Sequence, residues 1–596
     1  MPVLKQFPKD MSALPVDRKH LRRCLVSGWF EETVECGGRQ RRFCTYLAPG
    51  LEYSRPSLII APPDGPDTEA WIDAGCWESF AADAQVFLHF LLPDGTYGPA
   101  GADAEYLEKV RQETHSRTHY VEIPDNLYLL GFGRGAAVVQ QVTSEYTEDY
   151  SGITLFPADD VCLDRQACAG GRRPQLPVWI FAGEENPARQ TLAAFWKHWN
   201  GAEELCFSES WKKDPGRTGI RAEEIWVPSA AERKSRTNEE PLGEVRVSGF
   251  SGAAVSGEAM SDSFAVPSRE VLDELWSFLG RAARHRNPGA KALRTVQDPE
   301  KYGLERREME VDGYSRIWYE YVPSAVRESG AKAEARGCGG TVPEKVAAVP
   351  LVVCMHPRGG SAETFISLTN MNQVAEERGF IVVFPEAGVY QQKPGGLNNV
   401  ALWEGMLDGR RFDDVKFIRA VVEDVCGREP VDRARIYACG QSSGGMMTCS
   451  LAVHTPELFT AAAPWSGTGN IGLGVAAPEQ ISPKIPFFFM MGERDVLCSD
   501  PEHGIFEFRA SAGAAAFLGG VMKAYGLEGR RPGIYCSGEI RFFVYSDERG
   551  IPWLTVGVVR NMPHGNYPRQ SWLTYDEFLC KWTRKDGILY YMGMPV

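Results

Sequence analysis

The chain has no run of about eighteen apolar residues, so no helix able to cross a bilayer is expected. None of its 15 cysteines forms a C-x-x-C, and no histidine stands at zinc-finger spacing from a cysteine pair. No zinc-finger site is therefore expected, and the chain is read as needing neither metal nor cofactor. The odd count leaves at least one thiol unpaired. Cys44, Cys354 and Cys439 sit in apolar runs and read as buried, reduced thiols, with a few disulfides as the alternative. No block of like charge is present either. The net charge of −14 is spread along the sequence, which argues against nucleic acid or an anionic membrane as partner. The first residues, Met1 to Pro8, lack the apolar core of a signal peptide. A cytoplasmic protein is expected, with a secreted one trimmed of its leader as the alternative.

Against these absences stand 596 residues, 43% of them hydrophobic and 11% aromatic, enough for two to four large cores. The sequence also repeats itself. Leu58-Ile59-Ile60-Ala61-Pro62-Pro63-Asp64-Gly65 resembles Val352-Val353-Cys354-Met355-His356-Pro357-Arg358-Gly359. Val86 to Pro93 resembles Phe380 to Pro385, Leu127 to Leu130 resembles Arg435 to Ala438, and Pro177 to Asn186 resembles Pro486 to Asp495. Buried apolar runs that alternate with helical stretches imply parallel sheets. The fold class is therefore α/β: two tandem domains, each a mostly parallel sheet flanked by helices. The expected division is a first domain over 1–290, a linker over 291–304 following a helix from Ser268 to Arg284, and a second domain over 305–596. Ser324 to Ala348, rich in Ala, Gly and charge, is expected to be an exposed loop.

One pentapeptide carries the chemistry. Gly440-Gln441-Ser442-Ser443-Gly444 follows a β-prone run, Arg435 to Cys439, and precedes a helix-compatible run, Met446 to His454. This is the sequence form of a strand–turn–helix elbow that presents a serine. With 61 glycines in the chain, chance alone would supply about half a match to G-x-S-x-G, so the partners must carry the argument. They follow in the order Ser, Asp, His that such an elbow requires. Asp495 comes just after a strongly apolar strand, with Asp500 as the alternative. His564 comes after the strand Leu554 to Val559; its rivals His454 and His503 lie on the elbow helix and too close to Asp495. Acyl transfer by serine also needs donors for an oxyanion. The backbone amides of Ser443 and Arg358 are the candidates, because Pro357 has no N–H. Trp403, Trp465 and His356 are candidates for lining the substrate site. Packing is an equal reading for Trp403, and a turn-shaping role is the stronger reading for His356.

The second half, over roughly 305–590, resembles the polyhydroxybutyrate depolymerase and feruloyl esterase group of α/β-hydrolases. The resemblance rests on His356 to Ala362, Asp413 to Ile418, Val431 to Tyr437, the elbow with Gly445-Met446-Met447, Gly492 to Asp495, and His564-Gly565-Asn566. It implies a Ser442–Asp495–His564 triad that hydrolyses carboxylic esters through an acyl-enzyme without metal. Hydroxyalkanoate or other polyesters and feruloyl or acetyl esters are the implied substrates. Pro357 stands where the group usually has glycine. A peptidase or acyltransferase with the same triad, or a non-catalytic binding protein on this scaffold, are the alternatives.

The first copy has Gly133 in place of Ser442 and Asn186 in place of Asp495, at the same offset of 309 residues. No histidine falls between His198 and His285, where a base should come. The first domain therefore reads as a catalytically degenerate copy. Scaffold or homodimer surface is the plainer role expected of it, and a wall or platform over the second domain's cleft the sharper one.

Overall fold

The computed structural model of the protein describes residues 4–158, 174–206, 221–230, 241–249, 266–285, 292–329, 347–391, 399–401, 403, 413–469 and 481–596, apart from 10, 12, 13, 16, 99, 117–119, 121 and 184. Among these residues no helix is long and apolar enough to cross a membrane, and every cysteine is a free thiol.

Two ten-stranded sheets dominate, the first built from Gly28 to Gly249 and the second from Leu304 to Val559. With strands numbered along each half, both sheets have the spatial order 1-2-4-3-5-6-7-10-9-8. In each, the six central strands run parallel and the outer pairs antiparallel. Even an irregularity repeats. The third and fifth strands slip register between Arg55 and Ser57 in the first sheet, and between Val349 and Leu351 in the second. The tandem α/β organisation expected from the sequence is therefore seen strand by strand.

The central strands read as unbroken apolar runs because helices cover both of their faces. Val352, Val353 and Cys354 alternate between two clusters, one reaching Trp465 and Phe488 and the other Phe417 and Val421. Fully burying one such side chain stabilises the fold by about 1.5–3 kcal/mol. The first sheet is covered likewise: helix Ala100–Ser116 lies over one face, and helix Arg269–Leu279 over the other. That second helix is capped by Ser268 and is shorter than the sequence suggested, because the chain leaves it to form a strand, Ala282–Arg284.

The expected linker over 291–304 is structured where it is described. Leu293–Thr295 pairs antiparallel with Ala282–Arg284. Gln297 is buried: its amide donates to Ser367 Oγ (2.9 Å), and its side-chain oxygen accepts from Asn372 (2.9 Å). The connector is thus strapped onto both halves, a tertiary role that its composition does not reveal. Of the expected loop from Ser324 to Ala348, residues 324–329 are helical and 330–346 lie outside the described residues.

Candidate active site

The strand Val431–Gln441 ends in a sharp turn, and helix Ser443–His454 begins one residue later. Ser442 forms the turn with φ 53° and ψ −116°. Close backbone approach demands the surrounding glycines. A Cβ on Gly444 would lie 2.1 Å from Met355 O, and one on Gly440 would lie 2.6 Å from Gly444 O. The Ser442 amide donates to Trp465 O (2.8 Å). Its hydroxyl thereby stands at the carboxyl edge of the parallel strands, where open α/β sheets place their ligands.

Asp495 follows the strand Phe487–Gly492 and is fully buried. Both carboxylate oxygens lie 3.1 Å from His564 Nδ1, and one also accepts from the Leu497 amide (3.1 Å). His564 Nε2 lies 2.9 Å from Ser442 Oγ. A carboxylate can only accept, so Nδ1 carries the proton and Nε2 is free to take one from the serine. The loop that bears His564 is fixed from three sides. Arg494 N–H donates to Met562 O (2.9 Å), Asn561 N–H to the Glu493 carboxylate (2.7 Å), and Ser466 O–H to Gly565 O (2.9 Å). Gly492 makes room for this loop, since a Cβ there would sit 2.0 Å from Met562 O. Asp500, the alternative acid, is engaged elsewhere, 2.8 Å from His503 Nδ1.

The two amides expected to bind an oxyanion make no hydrogen bond within the described residues. That of Ser443 is the first of the elbow helix, where unpaired N–H groups and the helix dipole favour negative charge. That of Arg358 belongs to the turn His356–Gly360. Pro357 O, at the other end of the same peptide unit, accepts from Gly360 N–H (3.1 Å) and from His356 Nδ1–H (2.8 Å). His356 Nε2 then accepts from the Ala387 amide (3.0 Å).

Residues 341–477 match the Esterase PHB depolymerase family. The matched window holds the turn at Arg358 and the elbow at Ser442. Asp495 and His564 lie beyond it and are brought in by the geometry alone. Among curated relatives, feruloyl esterase B of Thermothelomyces thermophilus is 34% identical over 128 residues, which cover 22% of this chain and 41% of that protein. Feruloyl esterase B of Neurospora crassa is 33% identical over 144 residues, 24% of this chain and 48% of that protein. Acetylxylan esterase of Coprinopsis cinerea is 34% identical over 134 residues, 22% of this chain and 34% of that protein. The chain thus spans less than half the length of each of these relatives.

Three residues expected to line the substrate site of this esterase-like half do not face an open cleft. His356 is fully buried and engaged as described. Trp403 is buried with its indole N–H on His356 O (2.7 Å), and Trp465 is buried with its indole N–H on Thr574 Oγ1 (3.0 Å). They shape the site from behind. Around Trp403, residues 392–398, 402 and 404–412 lie outside the described residues. An open cavity of about 480 Å³, lined by Glu493, Phe506 and Arg560 among others, contains none of Ser442, Asp495 and His564.

The first copy keeps the elbow and fills it differently. Gly133 has φ 58° and ψ −126°, close to Ser442, and a Cβ on Gly135 would lie 2.3 Å from Ala61 O. Arg134 replaces Ser443 and lies 3.9 Å from Asp64, which replaces Arg358. Asn186 donates to Pro157 O (3.0 Å) and caps helix Pro187–Asn200. Sequence reading missed Ser466, Glu493 and Glu386. Glu493 and Ser466 adjoin motifs it did find, but no local pattern marks Glu386, whose partners come from both halves.

Proposed function

We propose that the chain is a serine carboxylic-ester hydrolase. The observation that carries this reading is the unbroken line from buried Asp495 through His564 to Ser442, at 3.1 and 2.9 Å. His564 Nε2 takes the Ser442 proton as the oxygen attacks the ester carbonyl, then returns it to the leaving alcohol. Asp495 holds the tautomer and stabilises the imidazolium. The Ser443 and Arg358 amides receive the oxyanion, each contributing about 3–4 kcal/mol to the barrier reduction. Water then releases the acyl group from Ser442 through the same steps in reverse.

The names of the relatives turn the substrate proposal toward feruloyl and acetyl esters of polysaccharides, ahead of hydroxyalkanoate polyesters. The test is turnover of p-nitrophenyl acetate and methyl ferulate together with fluorophosphonate labelling. Ser442→Ala should abolish both. An unlabelled Ser442 in the folded wild type would overturn the reading, and cleavage of the matching amides would redirect it to a peptidase.

A further inference from the structure

The degenerate domain reaches directly into the oxyanion turn of the other domain. Ser54 lies in the first domain, just ahead of strand Arg55–Ala61, and is buried at 2% exposure. Its backbone is left-handed, at φ 59°, a conformation that a serine adopts only when its surroundings impose it. In that pose its hydroxyl donates to Gly359 O at 2.5 Å and also lies 3.3 Å from Gly360 O.

Gly359 O and Gly360 N–H are the two ends of one peptide unit. Gly360 N–H donates to Pro357 O (3.1 Å), and Pro357 O and Arg358 N–H are the two ends of the next unit. The hydroxyl of Ser54 therefore begins a line of hydrogen bonds that runs through two peptide dipoles and ends on the Arg358 N–H. Such lines polarise each member in the same sense, so the terminal donor is both better aimed and more positive.

Two ion pairs hold the turn's flanks from the same side. Arg55 pairs with Glu363 in the first turn of helix Ala362–Thr369. Arg22 pairs with Glu386, whose second oxygen accepts from the Ala362 amide (2.8 Å).

We infer that Ser54 is a positioning residue for ester hydrolysis: the first domain, having no triad of its own, sets the Arg358 amide that receives the oxyanion in the second. This rests on the esterase reading of Ser442. An oxyanion donor acts on the transition state more than on the bound substrate, so the loss should fall on kcat.

Ser54→Gly removes the hydroxyl while accepting the positive φ, so the fold is kept. Its kcat on p-nitrophenyl acetate should fall about tenfold, with KM unchanged and a trifluoromethyl ketone inhibitor weakened by the same factor. Ser54→Ala should show the same loss. Hydrogen exchange of the Gly360 amide in the resting protein should speed up in both variants, a readout that needs no turnover. Unchanged kcat, inhibitor affinity and Gly360 exchange in Ser54→Gly would overturn the inference. A wild type that turns over no ester would sink the esterase reading instead, and the exchange result would still decide whether Ser54 holds the turn.

Discussion

Asp495 and Asn186 hold the same place in the two halves and do different work. Asp495 faces a histidine with both oxygens, whereas Asn186 gives its amide to a carbonyl and its oxygen to a helix cap. Asp495→Asn should lower kcat by about 10³–10⁴ with little change in melting temperature, because an amide can present an N–H to Nδ1 and favour the wrong tautomer. Steady-state ester hydrolysis checks this, and a loss below tenfold would remove Asp495 from the triad. That Ser442, Asp495 and His564 would converge was legible, because acyl transfer by serine fixes the residue types, their order and their place after strands. Trp403 and Trp465 were not. An indole's position is decided by partners such as Thr574, 109 residues from Trp465, which no local pattern reveals.

At the scale of elements, the turn His356–Gly360 depends on a carboxylate from the next parallel strand. Burial alone would push Glu386 up. The Arg22 guanidinium, together with the Ala362 amide, overcomes it and holds the carboxyl down at about 2 against an ordinary 4.5. A depressed carboxylate contributes stability that is complete above about pH 4.5 and is lost as the pH falls toward 2. The stake is about 3 kcal/mol. Denaturant unfolding at pH 6, 4 and 3 should show a steeper acid loss in the wild type than in Glu386→Gln; equal slopes would refute this. Arg22→Met strands a buried charge and should cost about 3–5 kcal/mol at neutral pH, read by the same unfolding experiment. The strands that end just before His356 and Glu386 were legible as apolar runs. The connector after Arg284 was not, because its composition marks a turn-rich segment and says nothing of the surfaces it straps together.

At the scale of the whole molecule, one chain carries the same ten-stranded sheet twice, once with the side chains of Ser442, Asp495 and His564 converging and once without such a set. Restoring serine at Gly133 should yield no hydrolysis and no fluorophosphonate label. Asn186 is committed to Pro157, and Arg134 and Asp64 occupy the places of the two oxyanion donors. Labelling at residue 133 would contradict this. The duplication was legible from the matched offsets. The use the second half makes of the first was not, since it passes through Ser54 and Arg22, whose partners are about 300 residues or more away. The shared backbone of the two elbows has a thermodynamic corollary. Gly133 adopts its left-handed angles at no steric cost, while Ser442 adopts nearly the same angles against the preference of every residue with a Cβ. The first elbow is therefore a relaxed version of the second, and the difference measures what a serine at the turn takes from stability. Ser442→Gly should melt higher than wild type by about 1 kcal/mol of added stability, whereas Ser442→Ala, equally inactive, should not.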